Sequence, residues 1–498
     1  MKTTKAAQQT YRIYIILFFL LSCAVHAQIG IGTVTPNPSS VLDITSTTQG
    51  LLMPRMTTAQ RNAITAPADG LIVYDTDQRA FYYYVTGTSS WILINNASNS
   101  RLNFKRIRST DNLAVVLAAE LAAGGGAKYV LTSNTLYEIN GTVTFNLPIE
   151  LNNAYIQGLD ANEDIIVKTS GTLFDGSTGG SIRSVTISAP GATVFNLNAS
   201  SASSTFLFRD SIIANSGSVG TVSGFGLVFA SIVNFSGNTN GITYTNIGQL
   251  LLSNQAWFSN NGGTYEKLTG TFNLVSKQGG FSNVASGAYG FDVSAAGISI
   301  LSDAVLESVV FTGPTPANYV RPYSSGTYSG YNFNNSWNVR AAGVPTETDA
   351  NATGDFAMDY PVGSGIAVPF TNNLNPSDIV KVGLGTPSTV YSNLFRFSTD
   401  AANRLRYVGK KKRIFQISGS ISFQVPAAGT YIIYIAKNGT MLTQYKIYGR
   451  GGATNDIVVL PLNATTEMLT NDYIEVFAQR YTGSNGSIVV PNMTVTIK

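Results

Sequence analysis

The chain has 498 residues, only 12% of them charged, with 48 Gly, 25 Tyr and 25 Phe and a formal net charge of +4 at pH 7. That charged share is about half the usual one, and three of the cations, Lys2, Lys5 and Arg12, lie in the first 27 residues. The rest is close to neutral and lacks a field that would draw it to nucleic acid.

Residues 1–27 read as a secretion signal. Lys2, Lys5 and Arg12 precede an apolar run from Ile13 to Leu21, and Val25-His26-Ala27 supplies small residues for cleavage between Ala27 and Gln28. The run is too short to span a bilayer. Leu20-Leu21-Ser22-Cys23 also reads as a lipoprotein box, so lipidation of Cys23 is the alternative and would provide the only membrane attachment. The sole histidine, His26, and the sole cysteine, Cys23, leave with this segment under simple cleavage. A secreted product then has no imidazole base, thiol nucleophile, His/Cys metal site or disulfide, and no cofactor is expected.

Residues 28–100 form a first module: Gln28-Ile29-Gly30-Ile31-Gly32, then Ser40 to Ile44, Gly50 to Arg61, Gly70 to Asp77, Phe81 to Tyr84 and Trp91. The pattern predicts short strands, one short helix over 57–64 and a closing aromatic hairpin. Asp43, Asp75 and Asp77 read as turn carboxylates rather than a cation site. The stretch resembles an N-terminal segment that recurs in secreted proteins of Bacteroidetes, a resemblance that implies a head or attachment module without catalysis.

In residues 101–340, Asp111 is the expected N-cap of a helix ending at Gly124-Gly125-Gly126. Short apolar runs follow, among them Leu136 to Ile139, Ile165 to Val167, Phe206 to Phe208, Gln249 to Leu252 and Val309 to Phe311, with Gly, Asn and Ser between them. This succession resembles the entry and body of a right-handed parallel β-helix of the pectate-lyase or tailspike type. Stacked coils would share one tubular core, with Asn side chains bonded from bend to bend. A β-sandwich is the competing fold.

If the β-helix cuts glycans, its histidine-free toolkit leaves carboxylates to do so. Asp160, Glu163 and Asp164 are the densest group, followed by Asp175, Asp210, Asp292, Asp303 and Glu307. Acidic turns explain the first three equally well, and the clustered signatures of pectate lyases and polygalacturonases are missing from the sequence. Aromatics and amides suit non-catalytic sugar binding better, because rings stack on sugars and amides bond to hydroxyls. Trp257, Tyr323, Tyr331 and Trp337 are the ligand-binding candidates; burial would exclude them.

Residues 341–367, broken by Pro345 and Pro361, read as a linker. Residues 368–498 return to strong strands, including Arg413 to Phe423, Gly429 to Lys437, Asp456 to Leu462, Asn471 to Ala478 and Ile488 to Ile497. The Leu405 to Gly409 stretch, the Ile435 to Gly439 hairpin and the Asn471 to Val476 strand make this region resemble the tumour-necrosis-factor-like jelly roll of phage and viral fibre tips. That resemblance implies a trimeric receptor-binding head. Lys410-Lys411-Lys412-Arg413 reads as a solvated turn.

The expected protein is all-β: a small N-terminal β-rich module, a right-handed parallel β-helix and a C-terminal jelly-roll β-sandwich. Its expected role is that of a secreted or outer-membrane-surface adhesin, a homotrimer binding glycans or cell-surface receptors without catalysis. A polysaccharide-degrading β-helix enzyme and a phage-derived receptor-binding protein are the alternatives.

Overall fold

The computed structural model describes residues 10–16, 28–94, 103–361, 363–371, 378–383, 389–400 and 404–498. Cys23 and Ala27 lie outside them; Gln28 lies within, its side chain donating to the Pro38 carbonyl at 3.1 Å. The described chain is dominated by strands and forms two compact units, residues 1–100 and 101–498.

In the first unit, Ile29–Ile31 pairs in parallel with Leu42–Ile44. A four-stranded sheet follows in the order Arg55–Met56, Ile72–Asp75, Ala80–Val85, Ser90–Leu93. The expected helix is Thr58–Asn62, started by a reciprocal cap between Thr57 and Gln60. Asp75 is fully buried against Arg61 at 3.2 Å, and that guanidinium lies 3.9 Å from the centre of the Tyr82 ring. Asp75 also accepts the amides of Asp77 and Gln78, Asp77 accepts that of Thr58, and Asp43 that of Asn37. The three carboxylates shape turns.

The second unit begins with strand Phe104–Arg108 and a cap made of two short helices, Leu113–Val116 and Ala118–Ala123. The N-cap is Asn112, which accepts from the Ala114 amide, and not Asp111, which instead accepts from the Arg108 amide and closes the preceding turn. Glu120 turns inward, 2.7 Å from Lys105 and 2.6 Å from the Tyr137 hydroxyl. Burial opposes its charge, but these donors hold its pKa below the usual value.

The coils then stack in parallel. One sheet runs through ten strands from Phe104–Arg108 to Trp337–Ala342, and a nine-stranded sheet runs from Tyr129–Val130 to Val320–Arg321. Alternation places every second side chain inside, as in strand Thr205–Ala214, where Phe206, Phe208, Ser211 and Ile213 are buried. Stacked rungs bring Phe235 and Trp257 to 3.8 Å, and Tyr265 of the nine-stranded sheet packs 5.0 Å from Trp257 inside the core. At one interior bend Ser216, Asn238 and Asn261 form a buried ladder, Asn238 bonding to Asn261 at 2.8 Å and Ser216 to Asn238 at 2.7 Å. This is the expected Asn-to-Asn stacking.

The long strands turn a corner at residues that align from coil to coil, namely Ser184, Asp210, Ile232, Asn254, Gly279 and Ser308, all with φ between 48° and 68°. Gly, Asn, Asp and Ser suit this left-handed position; a β-branched Ile does not.

The last region is a sandwich of two antiparallel sheets around one core. One sheet has the order Thr389–Phe395, Thr353–Asp359, Gly486–Ile497, Arg413–Gln424, Ile457–Met468; the other centres on Arg404–Tyr407, Tyr473–Thr482 and Gly429–Lys437. This is the jelly roll the sequence predicts, but it starts earlier. Thr353–Asp359 lies inside the expected 341–367 linker and buries Phe356 and Met358 in the sandwich core. The flanking prolines disguise a strand whose Gly354, Phe356 and Met358 alternate inward.

Candidate functional site

The three acidic residues first in line for catalysis make one turn. Asp164 is buried and accepts the backbone amides of Gly141 at 2.9 Å, Leu159 at 2.6 Å and Asp160 at 3.1 Å. Burial raises its pKa, but those amides outweigh it and hold the carboxyl below its usual range. Asp160 accepts from the Asn162 amide at 2.8 Å, and Glu163 is exposed. Asp164 is engaged by three backbone donors, the arrangement of a structural turn. Asp292 is buried and bonded to Ser294, while Asp175 is bonded to Asn196.

The aromatic candidates fare differently from the reading that exposes them. Trp257 and Trp337 are fully buried, and Tyr323 is nearly so, with its hydroxyl accepting from the Trp337 indole at 2.8 Å. These three fill the solenoid and carry no ligand surface. Tyr331 is half-buried, stacks on Phe395 at 4.2 Å and borders a surface depression of about 330 Å³ with Ser329, Thr353 and Asn393. Of the four it is the one that is not buried.

The basic run is the exposed turn expected of it, leading into strand Arg413–Gln424, and it also fastens the solenoid to the jelly roll. Lys410 reaches the Ser302 carbonyl and Asp303, and the backbone amides of Lys410 and Lys411 both donate to Asp349. Arg413 donates to the Asp349 carbonyl. Arg396, wholly buried, donates to the Asn335 side chain at 2.7 Å and to the Trp337 carbonyl at 2.6 Å, and pairs with Asp349 at 3.3 Å. Glu347 lies beneath them, accepting the amides of Asn332 and Phe333; burial pushes its pKa up to about 7 despite those bonds and nearby Arg396.

Two solenoid faces remain, and their chemistry contrasts. On the nine-stranded sheet the outward rungs are polar. Asp175, Asn196, Thr221, Thr243 and Lys267 form one row; Asn198, Ser223, Thr245 and Thr269 form the next. Their hydroxyls and amides bond along the rows, Asn196 to Asp175 at 2.7 Å and Ser223 to Asn198 at 2.8 Å. This surface offers donors and acceptors with little charge, the chemistry that matches sugar hydroxyls.

On the long sheet one outward row is apolar for most of its length: Phe104, Leu136, Tyr155, Ser181, Leu207, Phe229, Leu251, Ser276 and Val305. Beside it runs a row of Arg106, Glu138, Gln157, Arg183, Arg209, Ser231, Ser253, Gln278, Glu307 and Arg340. Arg106 meets Glu138 at 2.5 Å, and Arg183 donates twice to Gln157, at 3.0 and 2.7 Å. Small Ser181, set between Tyr155 and Leu207, opens a depression of about 300 Å³ bordered by Arg183 and Arg209. Both rows are invisible to a reading of single segments, because each residue comes from a different coil. Only the register aligns them.

Residues 30–107 match the model of a family described as a phage tail like trimerisation region. The match covers the first module and the first solenoid strand, whereas the sequence reading places subunit contacts in the jelly roll. No curated protein matches the chain. Among solved structures, Eiger TNF from S. frugiperda is similar over 29% of this chain and 90% of its own, with 7% identity and a TM-score of 0.20. The enzymatically active domain of tailspike protein 4 from bacteriophage CBA120 is similar over 89% of this chain and 77% of its own, with 10% identity and a TM-score of 0.26.

Proposed function

We propose that this chain is a trimeric fibre of the phage-tail type that binds a glycan or cell-surface receptor without cutting it. The observation that carries the reading is the order of its parts. A stretch similar to a phage tail like trimerisation region leads into a parallel solenoid, which ends in a docked jelly roll. Trimerisation presents three copies of each weak contact, so avidity supplies what a shallow polar surface cannot.

In the finer form of the proposal, the fibre is a secreted adhesin of Bacteroidetes, displayed at the outer-membrane surface or released. The polar rows of the nine-stranded sheet and the Tyr331 depression contact the glycan. The backbone bonds that occupy Asp164 support binding over catalysis.

The test takes residues 28–498, measures molar mass by light scattering, and passes a panel of bacterial and host polysaccharides over the immobilised protein. A trimer that retains a polymer without shortening it is expected. A monomer would sink the fibre reading, and falling chain length would replace adhesion with a polysaccharide-degrading enzyme.

A further inference from the structure

The apolar row on the long sheet is one residue wide and runs along the solenoid, across its strands. At about 4.8 Å per strand, the stretch from Phe104 to Val305 is about 40 Å long. Phe104 and Tyr155 are 41% and 42% exposed. Seven of its nine residues are apolar, interrupted only at Ser181 and Ser276, and such an alignment is more than the scattered apolar residues of an ordinary surface.

Three further observations bear on what covers it. The matched residues 30–107 run into Phe104–Arg108, so the region similar to a trimerisation unit contains the first rung of the row. The neighbouring row carries Arg106, Arg183 and Arg209 as well as Glu138 and Glu307, so charges of both signs edge the strip and can pair with an adjacent copy. Ile232, on the corner next to this row, is 54% exposed with φ 54°, where every aligned residue is Gly, Asn, Asp or Ser. An isoleucine held in that conformation at the surface is strained and wet at once.

We infer that the long-sheet face of the solenoid is where copies of this chain pack side by side, with the apolar row lining a threefold axis parallel to the solenoid. The inference rests on the trimer reading and adds to it the face and the register. A narrow row parallel to a rotation axis meets itself, so the same rung of three copies converges, while the charged row and Ile232 meet the adjacent copy. The polar face of the nine-stranded sheet then points outward, to the ligand.

The full chain carrying Cys23→Ser has no thiol, so a single introduced cysteine reports its own surroundings. Leu207→Cys and, as a second rung, Leu251→Cys are compared with Thr221→Cys on the polar face after mild oxidation. If the row lines the axis, the first two give a disulfide-linked dimer on a non-reducing gel and keep one free thiol per trimer, and Thr221→Cys gives none. A trimer in which both row variants stay uncrosslinked and react with maleimide as fast as Thr221→Cys would overturn the packing face but leave the trimer standing. It would also free the Ser181 depression for a ligand. A monomer by light scattering would overturn both.

Discussion

Inside the solenoid, Lys277 and Glu266 meet at 2.7 Å, each almost wholly shielded from water, with Gln255 at 3.3 Å from the Lys277 ammonium. Burial raises the Glu266 pKa, and Lys277 opposes the rise. Removing one partner strands a charge in the core, so Lys277→Met alone should cost about 3–5 kcal/mol. The double variant Glu266→Gln, Lys277→Met should recover most of that loss, as read by denaturant unfolding. Glu347 makes a pH prediction. Its native pKa of about 7 lies above the 4.5 of an unperturbed glutamate, so between those limits the native state holds a proton that the unfolded state has lost. Stability from this group is therefore full below pH 4.5 and declines as pH rises to 7, by about 3 kcal/mol. Asp164 and Asp472, whose pKa values are lowered, act in the opposite sense, but only once the pH falls below the ordinary carboxylate range. Melting at pH 5 and pH 8 should show the Glu347 loss, and Glu347→Gln should flatten it. Neither residue stands out in the sequence, because a lone Glu in a polar loop or alternating strand gives no sign of what the next coil places against it.

At the scale of elements, the coil is held by ladders that cross it. Asn238 accepts from Ser216 and donates to the Ile213 carbonyl and to Asn261, all out of water. Asn238→Leu would leave the Ser216 amide and hydroxyl without their acceptor, a loss of about 2 kcal/mol or more. The expected result is a lower melting temperature with unchanged strand content by circular dichroism. The ladder's existence was legible in the Gly/Asn/Ser clusters between apolar runs. Its members were not, because uneven coil lengths hide the register. Likewise the cap helix was legible from its alanines and closing glycines, yet its start was misassigned by one residue, because Asp111 and Asn112 are both good caps and only local geometry chooses. The linker was misread for a related reason: Pro345 and Pro361 signal breaks but say nothing of the strand between them.

For the whole second unit, the consequential contact is the clamp built on Arg396, Asp349 and the 410–413 run. It fixes the jelly roll against the end of the solenoid, so force or orientation at one is transmitted to the other. Arg396→Ala removes a buried guanidinium bonded to the solenoid end at Asn335 and Trp337. The two parts should then melt separately in calorimetry, and limited proteolysis should cleave between them; a single unchanged transition would show that the clamp is dispensable.

By itself, the sequence determined the all-β class, because alternation, turn residues and apolar runs are local and repeat along the chain, while the parallel solenoid and the jelly roll came from resemblance, with a sandwich still competing for residues 101–340. It also determined the chemistry available, since composition limits what any surface can present. Only the tertiary structure decided where that chemistry lies. It buried Trp257, Tyr323 and Trp337, spent Asp164 on a turn, gave an exposed basic run a second role as a clamp, and assembled an apolar row and a polar row from residues some 20–30 positions apart. Inward or outward orientation depends on a register of one residue, and alignment between coils depends on loop lengths. Neither is recorded in any single segment of the chain.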